Sequence, residues 1–162
     1  MTLRDVSGAL LVMAASTLAG CPQPVELSWK SATFSGANRG RALEVSRDVV
    51  VRHSLGTTIR ADAATGRIET DPIEEAIGGK TLRQQRYVDV REKGGAVEVA
   101  VFAPMFQLEL DPGASPAVRW LPIGSDVQVE AALLDEIIGR VLALEPDARV
   151  LGTTLPRAAR PR

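Results

Sequence analysis

The stretch YVDVREKGGAVEVAVF, residues 87–102, decides the fold. Two runs of alternating apolar and polar residues flank Gly94-Gly95, and a two-residue glycine turn is a natural connection for an antiparallel hairpin. With that turn, Val90 faces Val99, Val88 faces Val101 and Arg91 faces Glu98. Moving the turn to Lys93-Gly94 sets Asp89 against Glu98, and like charges directly opposed are unfavourable. The charges therefore select one register. One face of this ribbon then carries four valines, and the other carries Tyr87, Asp89, Arg91 and Glu98. A ribbon that is apolar on one face needs a covering layer, which the rest of the chain has to supply.

Two amphipathic segments can supply it. Upstream, Asn38 is placed to cap a helix over 39–53, with Ala42, Val45, Val49 and His53 on one stripe and Leu55-Gly56 at its end. Downstream, a helix over 125–144 repeats Val129, Leu133, Ile137, Val141 and Leu144 every three or four residues. Leu134 and Ile138 widen that stripe, Glu130, Asp135, Glu136 and Arg140 fall to the solvated side, and Pro146 stops the helix.

Short alternating runs lie between them. TTIRA (57–61) and GRIET (66–70) predict a hairpin that pairs Ile59 with Ile68, while FQLEL (106–110) and AVRWL (117–121) predict strands around the loop DPGASP. DPIEEAIGG (71–79) carries a helix-start signature: Asp71 as cap, Pro72 at the first helical position, Glu74 at the capping-box position, and Gly78-Gly79 as the stop. The same carboxylates, Asp71, Glu74 and Glu75, can be drawn as a metal site, but a cation would need further oxygens from elsewhere and the cap explains them without one. The expected fold class is α+β: an antiparallel meandering sheet of four to six strands with N- and C-terminal helices packed on one face.

The chain has 162 residues, one cysteine, one histidine and a net charge of −1. That length supports one domain with a real core, and near-neutral charge gives no basis for nucleic-acid binding. Aromatics are few (Trp29, Phe34, Tyr87, Phe102, Phe106 and Trp120), so valine, alanine and leucine have to form most of the core.

The single cysteine stands at the end of Leu18-Ala19-Gly20-Cys21, after the uncharged run VSGALLVMAAST (6–17) and a positive start at Arg4. The run is too short to span a bilayer and has the length of a signal-peptide core. The tetrapeptide resembles the lipobox of bacterial lipoproteins: an aliphatic residue, two small residues, then cysteine. The resemblance implies diacylglyceryl attachment to the Cys21 sulfur, signal cleavage between Gly20 and Cys21, and acylation of the new amine. Two or three acyl chains on one residue make such attachment effectively permanent, since each buried methylene contributes ~0.8 kcal/mol. Pro22 stands where lipoproteins retained at the inner membrane often carry aspartate, so the resemblance implies the outer membrane of a diderm cell, periplasmic side, or the cell membrane of a monoderm.

The segmentation that follows is a signal peptide over 1–20, lipidated Cys21 with a tether over 21–36, a single α+β periplasmic domain over 37–146, and a flexible basic tail over 147–162. The helix-then-hairpin order, with ADAATGRIETD (61–71) as the hairpin, also resembles the helix-and-sheet modules of outer-membrane assembly lipoproteins such as BamC. That resemblance spans roughly 38–145 and implies no residue-level function.

Catalytic sets are missing from the sequence. His53 is the lone histidine; Ser46 and Ser54 lie near it, but no nucleophile-elbow pattern accompanies them. GGK at 78–80 lacks the earlier glycine of a P-loop. One histidine and no free thiol after lipidation leave no zinc set. The expectation is no enzyme, no cofactor, no metal and no nucleic-acid partner. Two roles remain: an interaction or envelope-assembly module held at the membrane through Cys21 and meeting an envelope protein, or a carrier of lipid or a small apolar ligand, with Phe102, Met105, Phe106 and Trp120 lining its pocket.

Overall fold

The computed structural model describes residues 29–110 and 118–154. The hairpin that decides the fold forms in the expected register. Strands β6 (Tyr87–Lys93) and β7 (Ala96–Phe102) pair Val88 with Val101, Val90 with Val99 and Arg91 with Glu98 across Gly94-Gly95. All four valines are fully buried. Both helices cover them. Helix α1 (Arg39–His53) packs on β6, and α2 (Val127–Leu144) packs on β7 and on β1 (Lys30–Ser35).

The helix ends follow their capping chemistry. Asn38 accepts the Arg41 amide through its side chain, and Asp126 accepts the amides of Gln128 and Val129 at the start of α2. Ala42, Val45 and Val49 of α1 are buried with Ser46 and Val50, and Leu133, Leu134, Ile137 and Val141 of α2 meet them across the core. Each fully buried valine or leucine contributes about 1.5–3 kcal/mol relative to exposure, so this aliphatic interlayer is the main source of stability.

The principal sheet, sheet A, has the order β10-β1-β7-β6-β3-β2, with β2 at Ile59–Asp62, β3 at Arg67–Thr70 and β10 at Arg149–Thr154. All neighbours are antiparallel. Without the β2–β3 hairpin, the sequence β1-α1-β6-β7-α2-β10 with spatial order β10-β1-β7-β6 is the ferredoxin-like split β-α-β arrangement. A second sheet, sheet B, has the order β4-β5-β8-β9, from β4 (Ile73–Ile77), β5 (Lys80–Gln84), β8 (Pro104–Leu110) and β9 (Val118–Ser125). Its residues join no part of the core cluster.

The class is α+β with helices at the two ends of the ordered region, as expected; among the described residues the strands number ten and form two sheets. Four local expectations are corrected. Residues 71–79 form no helical turn: IEEAI pairs with KTLRQ across Gly78-Gly79, whose φ values of 58° and 77° suit a tight hairpin turn. Ile59 and Ile68 share a face but sit two residues out of register, with Ala61 opposite Ile68 and Ile59 opposite Thr70. Residues 30–35 and 149–154, assigned to tether and tail, are instead paired strands of sheet A. Glu130, assigned to solvent, is fully buried against Lys30.

Candidate interaction face

The helices cover one face of sheet A, and among the described residues no element covers the other. On that open face, strand pairing arranges side chains in rows that run across the sheet. One row holds Arg60, Glu69, Tyr87 and Phe102, with Trp29 just beyond. The next holds Asp62, Arg67, Asp89, Ala100, Ser31 and Thr154. A third holds Arg91, Glu98, Thr33 and Gly152. Small residues on β1 and β7 therefore form a floor between an aromatic corner and a charged margin. A shallow depression of about 340 Å³ lies there, bounded by Trp29, Arg67, Asp89, Arg91 and Glu98 over Ser31 and Ala100.

The aromatic corner is mutually packed. Trp29 stacks on Phe102 at 5.2 Å between centroids, Phe102 lies 6.3 Å from Tyr87, and the Arg67 guanidinium sits 5.0 Å over the Tyr87 ring. Burial among these groups, reinforced by the Glu69 carboxylate, raises the Tyr87 phenol above its ordinary range. The charges are paired at the margin: Arg91 with Asp89 at 2.5 Å, and Arg60 with Glu69 at 3.2 Å and Asp71 at 2.6 Å. Arg91 stands opposite Glu98 in the ladder, as the register requires, but its guanidinium turns to Asp89.

The residues weighed for chemistry are placed apart from one another. His53 lies at the exposed end of α1, where Nε2 meets Glu136 of α2 at 2.6 Å; Arg52 and Arg140 bind the same carboxylate at 2.8 and 3.1 Å. It does not continue the buried stripe. Ser46 donates to the Ala42 carbonyl, and the Ser54 hydroxyl accepts from Arg86, whereas the His53 ring meets Glu136. Asp71 pairs with Arg60, and Glu74 pairs with Arg83 at 2.5 Å.

Phe102, Met105, Phe106 and Trp120 do not converge on one cavity. Phe102 belongs to the open face of sheet A. Met105 and Phe106 point to opposite faces of β8 by strand alternation. Trp120 lies on β9, where Arg83 stacks 3.9 Å over its ring. Between the helices and the sheet, where the alternative of a carrier would need its pocket, lie the buried core side chains.

Sequence reasoning missed Trp29 and the Lys30–Glu130 pair. Alternation in Lys30, Ala32 and Phe34 marks the buried side of β1 once that strand is known, but a lysine at its head hides the pattern. The lipobox and residues 155–162 lie outside the described residues. Among those described, no helix is long and apolar enough to cross a membrane. The chain matches no protein-family model and no curated protein sequence.

Proposed function

We propose that this protein is an outer-membrane-anchored, periplasm-facing lipoprotein whose domain is a non-catalytic interaction or envelope-assembly module. The anchor reading rests on Leu18-Ala19-Gly20-Cys21 and the apolar run before it. The interaction reading rests on one observation: a sheet face with packed aromatics, paired charges and a small-residue floor that no element among the described residues covers. Aromatic and arginine side chains beside shallow pockets are the usual anchors of protein interfaces. The filled interlayer supports this reading over carriage, because a carrier needs a cavity of a few hundred Å³ enclosed by its layers.

Cys21→Ser is expected to abolish incorporation of labelled palmitate and leave an uncleaved or mis-sorted precursor. A photo-crosslinking residue at Ala100, on the floor, should give a discrete adduct in the intact envelope that is lost when Phe102 is also changed to Ala. The same group at Arg47, on the exposed side of α1, should give none. Adducts of equal yield at both positions would remove the open face as the docking surface, and palmitate on the Cys21→Ser protein would remove the anchor.

A further inference from the structure

Sheet B has an unusual surface. Pro104 is its only buried residue, and among the described residues no helix or second sheet forms a layer against it. Strand alternation and the β8–β9 register place Phe106, Leu108 and Leu110 on one face, beside Pro122, Trp120 and Val118. On the opposite face the tip pair, Glu109 and Arg119, is charged, whereas nearer the root Gln107 lies between Leu82 and Leu121. The β8–β9 ribbon is therefore amphipathic towards its far end. Its most exposed apolar groups are there, with Leu110 at 71% and Val118 at 59% exposure.

The length of chain between Cys21 and the first described residue bears on what could cover this face. The chain enters the fold at Trp29-Lys30, and Lys30 pairs with Val101, three residues before β8 begins. Lys30 Nζ also donates to the carbonyl of Val127, next to Ser125, which pairs with Pro104. Lys30, the start of β1, therefore lies at the root of sheet B. From that root β8 extends for seven residues, about 20–23 Å at strand rise. Residues 21 to 29 are joined by eight peptide links, a fully extended reach of about 26–29 Å. The ribbon's tip thus lies within reach of the surface in which the Cys21 acyl chains would sit. A tryptophan with an arginine over its ring, beside leucine, valine and phenylalanine, suits the boundary between headgroups and acyl chains.

We propose that the apolar face of the β8–β9 ribbon lies on the lipid surface of the anchoring membrane, as a second contact that orients the domain. The inference rests on the anchor reading above. It leaves the open face of sheet A free for a protein partner. An amphipathic element of this kind enters the interface to a depth of about 5–10 Å, without spanning the bilayer.

The test uses the mature full-length protein, purified with its anchor and reconstituted in phosphatidylethanolamine–phosphatidylglycerol vesicles carrying acyl-brominated lipid. Its mass shows whether Cys21 carries the lipid. The Trp29→Phe variant leaves Trp120 as the only tryptophan, and bromine is expected to quench it strongly. Adding Leu110→Asp and Val118→Asp, both at exposed positions, should abolish that quenching while the protein stays anchored. Unquenched Trp120 on a lipidated protein overturns the lipid contact and leaves the anchor standing. Quenching that survives the two aspartates shows mere proximity and also overturns it. Trp120 shielded from acrylamide but untouched by bromine assigns the face to a second protein copy, which overturns it as well. A mass without lipid overturns the anchor reading, and this inference falls with it.

Discussion

Glu130 is the residue whose environment departs furthest from its chemistry. It is fully buried; Oε1 accepts the Ala103 amide at 3.0 Å and Oε2 faces Lys30 Nζ at 3.6 Å without a hydrogen-bond donor. Lys30 is also buried and donates to the Val127 carbonyl at 2.5 Å. The pair joins the first turns of α2 to the end of β7 and the start of β1, at the root of sheet B. Taking two charges out of water is costly, and removing one partner strands the other. Glu130→Ala or Lys30→Ala is therefore expected to lower unfolding free energy by about 3–5 kcal/mol, whereas Lys30→Met with Glu130→Leu should recover most of that loss. Urea denaturation of the four proteins measures the coupling; additive losses would show that the two charges act independently. The spacing in α2 already contained the clue. Glu130 precedes Leu134 by four residues and Ile137 by seven, which puts it on the buried stripe. Its charge argued for solvent, and only the lysine brought from β1 reverses that argument.

At the scale of elements, the hairpins separate local signals from those that depend on pairing. β6–β7 was legible because alternation, a two-glycine turn and cross-strand charges all agreed. β4–β5 was not, because Asp71-Pro72-Ile73-Glu74 satisfies a helix cap locally while the pairing of IEEAI with KTLRQ stabilises a strand. The β2–β3 hairpin is held from outside. Gly66 has φ +75°, and a Cβ there would stand 2.1 Å from the Val90 carbonyl oxygen, so the loop packs directly onto β6. Arg39 of α1 donates to the Ala63 and Ala64 carbonyls of the same loop. Within it, hydrogen bonds from the Thr65 hydroxyl and the Ala64 and Thr65 amides hold the Asp62 carboxyl below its ordinary range, helped by the Arg39 charge. A carboxyl whose folded pKa is lowered stabilises the folded form above its unfolded pKa of about 3.9, and that contribution is lost as pH falls through the folded value. The expected result is a carboxyl-carbon NMR titration of Asp62 with its midpoint below that of an unstructured aspartate. A midpoint at or above the unstructured value would show that the loop bonds do not favour the ionised form.

For the whole molecule, stability should come in two tiers. Sheet A and both helices share one core, in which Ile137 is fully buried between α2 and the valine face. Ile137→Ala is expected to cost about 2–5 kcal/mol of global stability. Sheet B contributes no side chain to that core, so its amides should exchange through local opening, faster than those of β1, β6 and β7. Hydrogen exchange read strand by strand checks both tiers: Ile137→Ala should speed exchange in β1, β6 and β7 and leave sheet B nearly unchanged. Equal protection in the two sheets would mean that they unfold as one unit.

By itself, the sequence determined the α+β class, the two helices with the Asn38 cap of the first, and the register of the central hairpin, because each follows from local periodicity, capping or neighbouring charge. The tertiary structure decided which outlying segments complete sheet A: Lys30–Ser35 pairs with β7, and Arg149–Thr154 pairs with Lys30–Ser35 at the sheet's edge. It also decided the candidate face. Trp29, Tyr87 and Phe102 are scattered along the chain and meet only across three paired strands, and the small-residue floor between them and Glu98 is a property of register. Local signals reach a few residues along the chain. A surface assembled from six strands depends on long-range pairing, and the helices on the opposite face bury the apolar side that such a sheet presents.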